Sequence, residues 1–138
     1  MSIVQTQTTS FKKELYQAVH NLSTDTLKIA LYTGNANLNE DTTAYTTTNE
    51  VVASGYTAGG NTLTGVAISS SGSTAYVNWA NTSWTAALTA RCALIYNVTQ
   101  GNKSIAVIDF GADKTSTTTF TITMPANTST PALIRSSN

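Results

Sequence analysis

Threonine fills 27 of the 138 positions of this chain, and much of it alternates with apolar residues. From Thr117 to Met124 the pattern is strict, with Phe120, Ile122 and Met124 on one parity and Thr119, Thr121 and Thr123 on the other. A two-residue period places the two sets on opposite faces of a strand. Threonine is β-branched and polar, so it suits the solvent face of a strand without adding apolar surface. A chain written this way is built to form sheet.

The same period recurs along the sequence. Leu27, Ile29 and Leu31 share one parity between Thr26 and Thr33, and Ala75, Val77 and Trp79 share another face further on. Residues 91–98 are apolar on both parities, Cys92, Leu94 and Tyr96 against Ala93 and Ile95. That marks a central strand covered on both faces. Further strands are expected near 50–54, 62–68 and 103–110, with a last short one holding Ala132, Leu133 and Ile134. Gln100-Gly101-Asn102 joins two of the strongest segments and reads as a hairpin turn. Pro125 and Pro131 frame a loop.

One segment has a helical period. Phe11, Leu15, Ala18, Val19 and Leu22 form a single apolar stripe, which predicts a helix over 10–22 with Ser10 as its N-cap. The expected fold is therefore mainly β, an antiparallel β-sandwich or jelly-roll-like small barrel of about seven to eight strands with one N-terminal α-helix. Residues 1–9 read as an extended N-terminal arm and residues 10–138 as a single domain. Residues 34–50 have no period and exceed a normal connection, which points to a functional loop.

Seven basic and seven acidic residues cancel, and charged residues make up only 10% of the chain. A nucleic-acid partner would call for a basic excess or stripe, so none is expected. No apolar run approaches the roughly 20 residues that cross a bilayer, and the first residues lack the pattern of a signal peptide. Synthesis in a cytoplasm, with no membrane partner, is the corresponding expectation. The five Asn-x-Ser/Thr triplets, at Asn21, Asn81, Asn97, Asn102 and Asn127, are what such a composition produces by chance.

Candidates for chemistry are few. His20, near the predicted helix end, is expected to interact with the last helical carbonyls. One His and one Cys cannot close a zinc site, and Glu40-Asp41 lacks the spacing of a calcium loop, so no metal or cofactor is expected. Cys92 reads as a buried thiol, and Asp109 as the ion-pair partner of Arg91 or Lys103. The glycine-rich stretch 55–60 lacks the Lys-Ser/Thr of a phosphate loop. Trp79, Trp84 and Tyr45 could stack on sugars, the basis of a carbohydrate-binding alternative, although a strand Trp is ordinarily core. Thr46-Thr47-Thr48 and Thr117-Thr118-Thr119 carry no charged guard, so their edges are either covered internally or, the favoured reading, meant to meet another chain.

Several segments fall in a recognisable order. They include Ser10-Phe11-Lys12-Lys13-Glu14-Leu15, Leu27-Lys28-Ile29-Ala30-Leu31-Tyr32-Thr33 and Gly55-Tyr56-Thr57-Ala58-Gly59-Gly60. Leu63-Thr64-Gly65-Val66, Ala90-Arg91-Cys92-Ala93-Leu94-Ile95-Tyr96-Asn97 and Val107-Ile108-Asp109-Phe110-Gly111 follow. Over about residues 10 to 135 the chain resembles a family of small virion proteins encoded by tailed bacteriophages. The resemblance implies a capsid decoration, or cement, protein located on the virion and binding the major capsid protein; the alternative is a tail component. It implies no catalytic residues, and it implies a small residue at the place of Cys92, in keeping with a packing role. Such proteins act in copies, so a homo-oligomer, a dimer or trimer, is the expected form. Ile3, Val4, Leu38, Tyr45 and Trp84 are the expected interface residues, with the arm and the 34–50 loop doing the docking. On that reading, removing residues 2–9 weakens particle binding and leaves the fold intact.

Overall fold

The computed structural model describes residues 2–125 and 133–136. In chain order the elements are β1 (Ser2–Ile3), β2 (Thr6–Gln7), α1 (Thr9–Tyr16), β3 (Leu27–Tyr32), β4 (Asn37–Leu38), β5 (Asn61–Thr62) and β6 (Ala67–Ser71). Then come β7 (Thr74–Asn78), β8 (Thr82–Trp84), β9 (Thr89–Asn97), β10 (Lys103–Thr115), β11 (Phe120–Ile122) and β12 (Ile134–Ser136). Eight of these strands are three residues or longer, and the other four are two-residue pairings. The fold is mainly β with one N-terminal helix, a small sandwich as the alternation predicts.

Its centre is the five-stranded sheet β2-β10-β9-β3-β5, antiparallel throughout. Alternation along β3 and β9 feeds two separate cores. Leu27, Ile29, Leu31, Ala93 and Ile95 face a large cluster with Phe11 of α1, Val77, Trp79, Trp84, Phe120, Ile122 and Ile134. That layer is completed by two smaller sheets, β12-β7-β6 and β11-β8. Ala30, Tyr32, Cys92, Leu94 and Tyr96 face a second cluster with Ala36, Leu38 and Val107. Residues 92–97 of the expected 91–98 run are thus covered on both sides, while Arg91 is half-buried and Val98 lies exposed past the strand end. The β9–β10 hairpin turns through Gly101 and Asn102, both at positive φ. In β11, Phe120 and Ile122 point inward, and Thr121 is exposed. The cross-strand Thr89–Thr115 pair bonds at 2.9 Å.

Several expectations are corrected. Residues 50–54 form no strand; only Glu50 and Ala53 make single bridges. Ala75 is exposed, so the face it was expected to share is buried only at Val77 and Trp79. The threonine runs at 46–48 and 117–119 lie in irregular loop, turn and bend, not in strand edges. The 34–50 loop is not a free docking loop. It forms the lid of the second core, where Ala36 and Leu38 are buried, Tyr32 donates its hydroxyl to the Thr46 carbonyl, and Ser104 donates to that of Thr42. Asn127, Pro131 and Ala132 lie outside the described residues.

The helix is shorter than its stripe. Thr8, not Ser10, is the N-cap, and its Oγ1 accepts from the Phe11 N–H at 3.3 Å. At the other end the N–H groups of Gln17 and Val19 return to the Glu14 carbonyl, and Ala18 takes a φ of 58°. That left-handed closure normally carries glycine. Leu22 still packs on the core, but from the following loop.

The arm is equally structural. β1 pairs in parallel with β4, and β2 pairs with β10. Ile105 is an extra residue in β10, between Ser104 opposite Tyr96 and Ala106 opposite Ile95. Its carbonyl accepts the Thr8 N–H at 3.0 Å, and Thr8 Oγ1 meets Ser104 Oγ at 3.0 Å. This bulge therefore fixes where the helix begins. Thr8→Ala is expected to cost about 1–2 kcal/mol, because it removes the cap and one of the buried hydrogen bonds of Ser104. A urea titration at unchanged slope checks this. Deleting residues 2–9 removes Thr8 along with two strand pairings, so it destabilises the fold instead of sparing it.

Candidate functional site

Polar chemistry concentrates at two places. The first surrounds Glu50, only 6% exposed. Its Oε1 accepts the Tyr45 hydroxyl at 2.6 Å. Its Oε2 accepts the Tyr56 hydroxyl at 2.6 Å and the Gly59 N–H at 2.8 Å. The Tyr56 oxygen in turn accepts the Leu31 N–H at 2.9 Å, and Tyr96 donates to the Gly59 carbonyl at 2.6 Å. One carboxylate thus ties the loop lid, the glycine stretch and β3 together. Gly59 and Gly60 take φ values of +100° and +80°, which lets this stretch lie against β3 and Tyr96.

Burial pushes the Tyr96 hydroxyl up to about 12, and the Glu50 charge adds to it. Tyr32, Tyr45 and Tyr56 are pushed up as well, by burial first and then by Glu50. These hydroxyls are therefore fixed donors at neutral pH, not acids or bases.

The second place is His20. It lies beyond the helix end and does not bind the last carbonyls. Its Nε2 meets Glu14 Oε1 at 2.9 Å, and its Nδ1 meets Asn97 Nδ2 at 2.9 Å. Asn97 spends its other amide proton on Asp25 Oδ2 at 2.8 Å. An amide donor on Nδ1 sets the ring as the Nε2–H tautomer donating to Glu14. Burial raises the Asp25 carboxyl, but hydrogen bonds from Asn97, the Asn21 N–H and Gln100 outweigh it and leave it below the ordinary 3.8. A depressed carboxyl contributes stability that is present above the unfolded value and lost as pH falls through the folded one. Unfolding free energy is therefore expected to drop in acid below about pH 4, and Asp25→Asn should flatten that drop while lowering stability at neutral pH. Denaturant titrations across that range read it directly.

Cys92 is fully buried, and burial pushes its thiol up to about 12, with the Asp109 charge adding to it. It packs and does not attack. Arg91 Nε reaches Asp109 Oδ1 at 3.4 Å, the pair expected from the sequence.

The five expected interface residues do not form one surface. Leu38 is 1% exposed and Trp84 4%, so both are core residues. They sit in different clusters on opposite faces of the central sheet. Trp84 packs between Tyr56 and Phe120, with ring centroids 5.9 and 6.2 Å away. Ile3 is half-buried against Leu38's cluster, and Tyr45 stacks on Tyr96 at 4.6 Å. Val4, 42% exposed, is the most open of the five. Trp79 and Trp84 are buried too, so the sugar-stacking trio offers no open platform. Sequence reasoning missed Glu50 and Tyr56, six residues apart in a stretch with no period, and it missed that Tyr45 donates to that carboxylate.

No protein-family model, curated protein or solved structure matches the chain.

Proposed function

We propose that the chain is a structural virion protein of a tailed bacteriophage, a capsid decoration (cement) protein that binds between major capsid subunits and stabilises the head. The carrying observation is that its chemistry-bearing groups are used up internally. Glu50 has three donors, both ring nitrogens of His20 are bonded, and Cys92 is sealed in the core. What faces solvent is largely uncharged Thr, Ser and Asn, most of it in loops and turns between short strands. Such a body grips neighbours through shape and backbone pairing and transforms nothing. The order of its segments, which resembles that of small tailed-phage virion proteins, supplies the setting.

Mass spectrometry and antibody labelling of purified particles test this. Head labelling in stoichiometric amounts is the expected result. Labelling of the tail alone would move the protein to a tail component, and absence from particles would overturn the virion reading. With a net charge of zero, occupancy on heads is expected to change little between low and high salt.

A further inference from the structure

β6 and β7 form a regular hairpin, paired residue for residue from Ala67 opposite Asn78 to Ser71 opposite Thr74. β12 pairs on the other side of β7. One row of side chains crosses all three strands, Ile134 to Val77 to Ile68. Ile134 and Val77 are buried, whereas Ile68 is 55% exposed. The row borders an open groove between the end of α1 and this sheet, lined in part by Leu15, Leu22, Ile68 and Ile134. An apolar row that starts in the core therefore ends in water.

It ends at an edge. All five residues of β6 are exposed, and among the described residues no strand pairs with its outer side. Natural edges are blunted by charge, proline, bulges or a cover. Ala67-Ile68-Ser69-Ser70-Ser71 has no charge and no proline, and its register with β7 is unbroken. The lack of charge also points to the occupant. When a strand pairs antiparallel with its own copy, every side chain meets one from the same short sequence. A charged strand would have to balance its charges across the two-fold axis, since like charges directly opposed are destabilising. A strand of Ala, Ile and Ser meets no such conflict.

We propose that β6 is a homodimerisation strand: two copies join β6 to β6, antiparallel, across a two-fold axis at Ser69. Only that register overlaps all five residues, placing Ala67 opposite Ser71 and Ile68 opposite Ser70 in the other copy. The two Ile68 side chains then become diagonal neighbours on one face, roughly 7–8 Å apart and within reach of each other. The result is a continuous six-stranded sheet that carries the apolar row from one core to the other. Such an edge pairs whether or not the chain decorates a particle, so each proposal can fail without the other.

The test uses the full chain with Ser69→Cys. Directly opposed antiparallel residues have Cα atoms about 4.5–5.5 Å apart, inside the range a disulfide spans. Mild oxidation is expected to give a covalent dimer, with Cys92 silent in the core. Ser71→Cys is the control, because four residues of offset hold its two copies roughly 14 Å apart and unlinked. In sedimentation the unaltered chain should run as a dimer, and Ile68→Lys with Ser70→Lys should halve the mass with an unchanged circular-dichroism spectrum. A monomeric unaltered chain, equal cross-linking at both cysteines or none at Ser69→Cys, or a dimer that survives the paired lysines would overturn the proposal. Capture of another protein's strand by a chain that stays monomeric would do the same.

Discussion

Glu50→Ala is expected to destabilise the chain by about 3–5 kcal/mol, a loss typical of breaking a buried charged network. The substitution leaves the Tyr45 and Tyr56 hydroxyls and the Gly59 N–H facing a space with no acceptor. Each orphaned buried donor costs about 1–3 kcal/mol, and some of that is recovered where water enters at half-buried Tyr45. Glu50→Gln should cost less, about 1–2 kcal/mol, because one carbonyl oxygen remains and a tyrosine hydroxyl can rotate to accept from the new amide. The reading is a urea midpoint for each variant at unchanged slope. A fall in slope would mean instead that the 34–50 lid had come away from the second core. Equal stability of Glu50→Ala and the unaltered chain would show that the carboxylate holds nothing together.

The sequence displays what is periodic and hides what is not. β9 announced a two-faced central strand because both parities of residues 91–98 are apolar, and the structure divides those parities between two cores. β11 was legible for the same reason. The helix start shifted by two residues because Thr8 and Ser10 are both good caps, and the choice between them is made by the distant bulge at Ile105. The helix stop was invisible because Ala18, a helix former, occupies a left-handed position where glycine would have marked the end. The 34–50 segment looked unanchored because its anchors, Ala36, Leu38, Tyr45 and Glu50, follow no period. They are held by partners on β3, β9 and the glycine stretch, and even the near ones, Tyr45 and Tyr56 for Glu50, follow no period. Leu38 and Trp84, expected at an interface, lie in the interior. The threonine runs suggest the unguarded edge, but it lies at β6, whose three serines carry no apolar alternation.

Gly60→Ala is expected to be the most damaging single exchange, above about 4 kcal/mol and enough to abolish soluble folded protein. A β-carbon at this position would lie 1.8 Å from the Ile29 carbonyl oxygen and 2.7 Å from its carbon. The obstacle is backbone of a central-sheet strand, so no rotamer change relieves it. A φ of +80° adds the cost of a conformation that side chains resist. Gly72→Ala separates the two causes. Gly72 also has positive φ, +59°, but nothing lies within 4 Å of its β-carbon position, so only the conformational cost of about 1–2 kcal/mol applies. The difference between the two variants, read by urea titration and soluble yield, measures the close approach itself. It also bears on Glu50, because moving Gly60 off β3 drags Gly59 away from the carboxylate. In a host stable enough to fold with both changes, Gly60→Ala and Glu50→Ala should therefore cost less together than their sum. Strict additivity would mean that the glycine contact and the carboxylate hold the sheet independently, and that the two are not one joint.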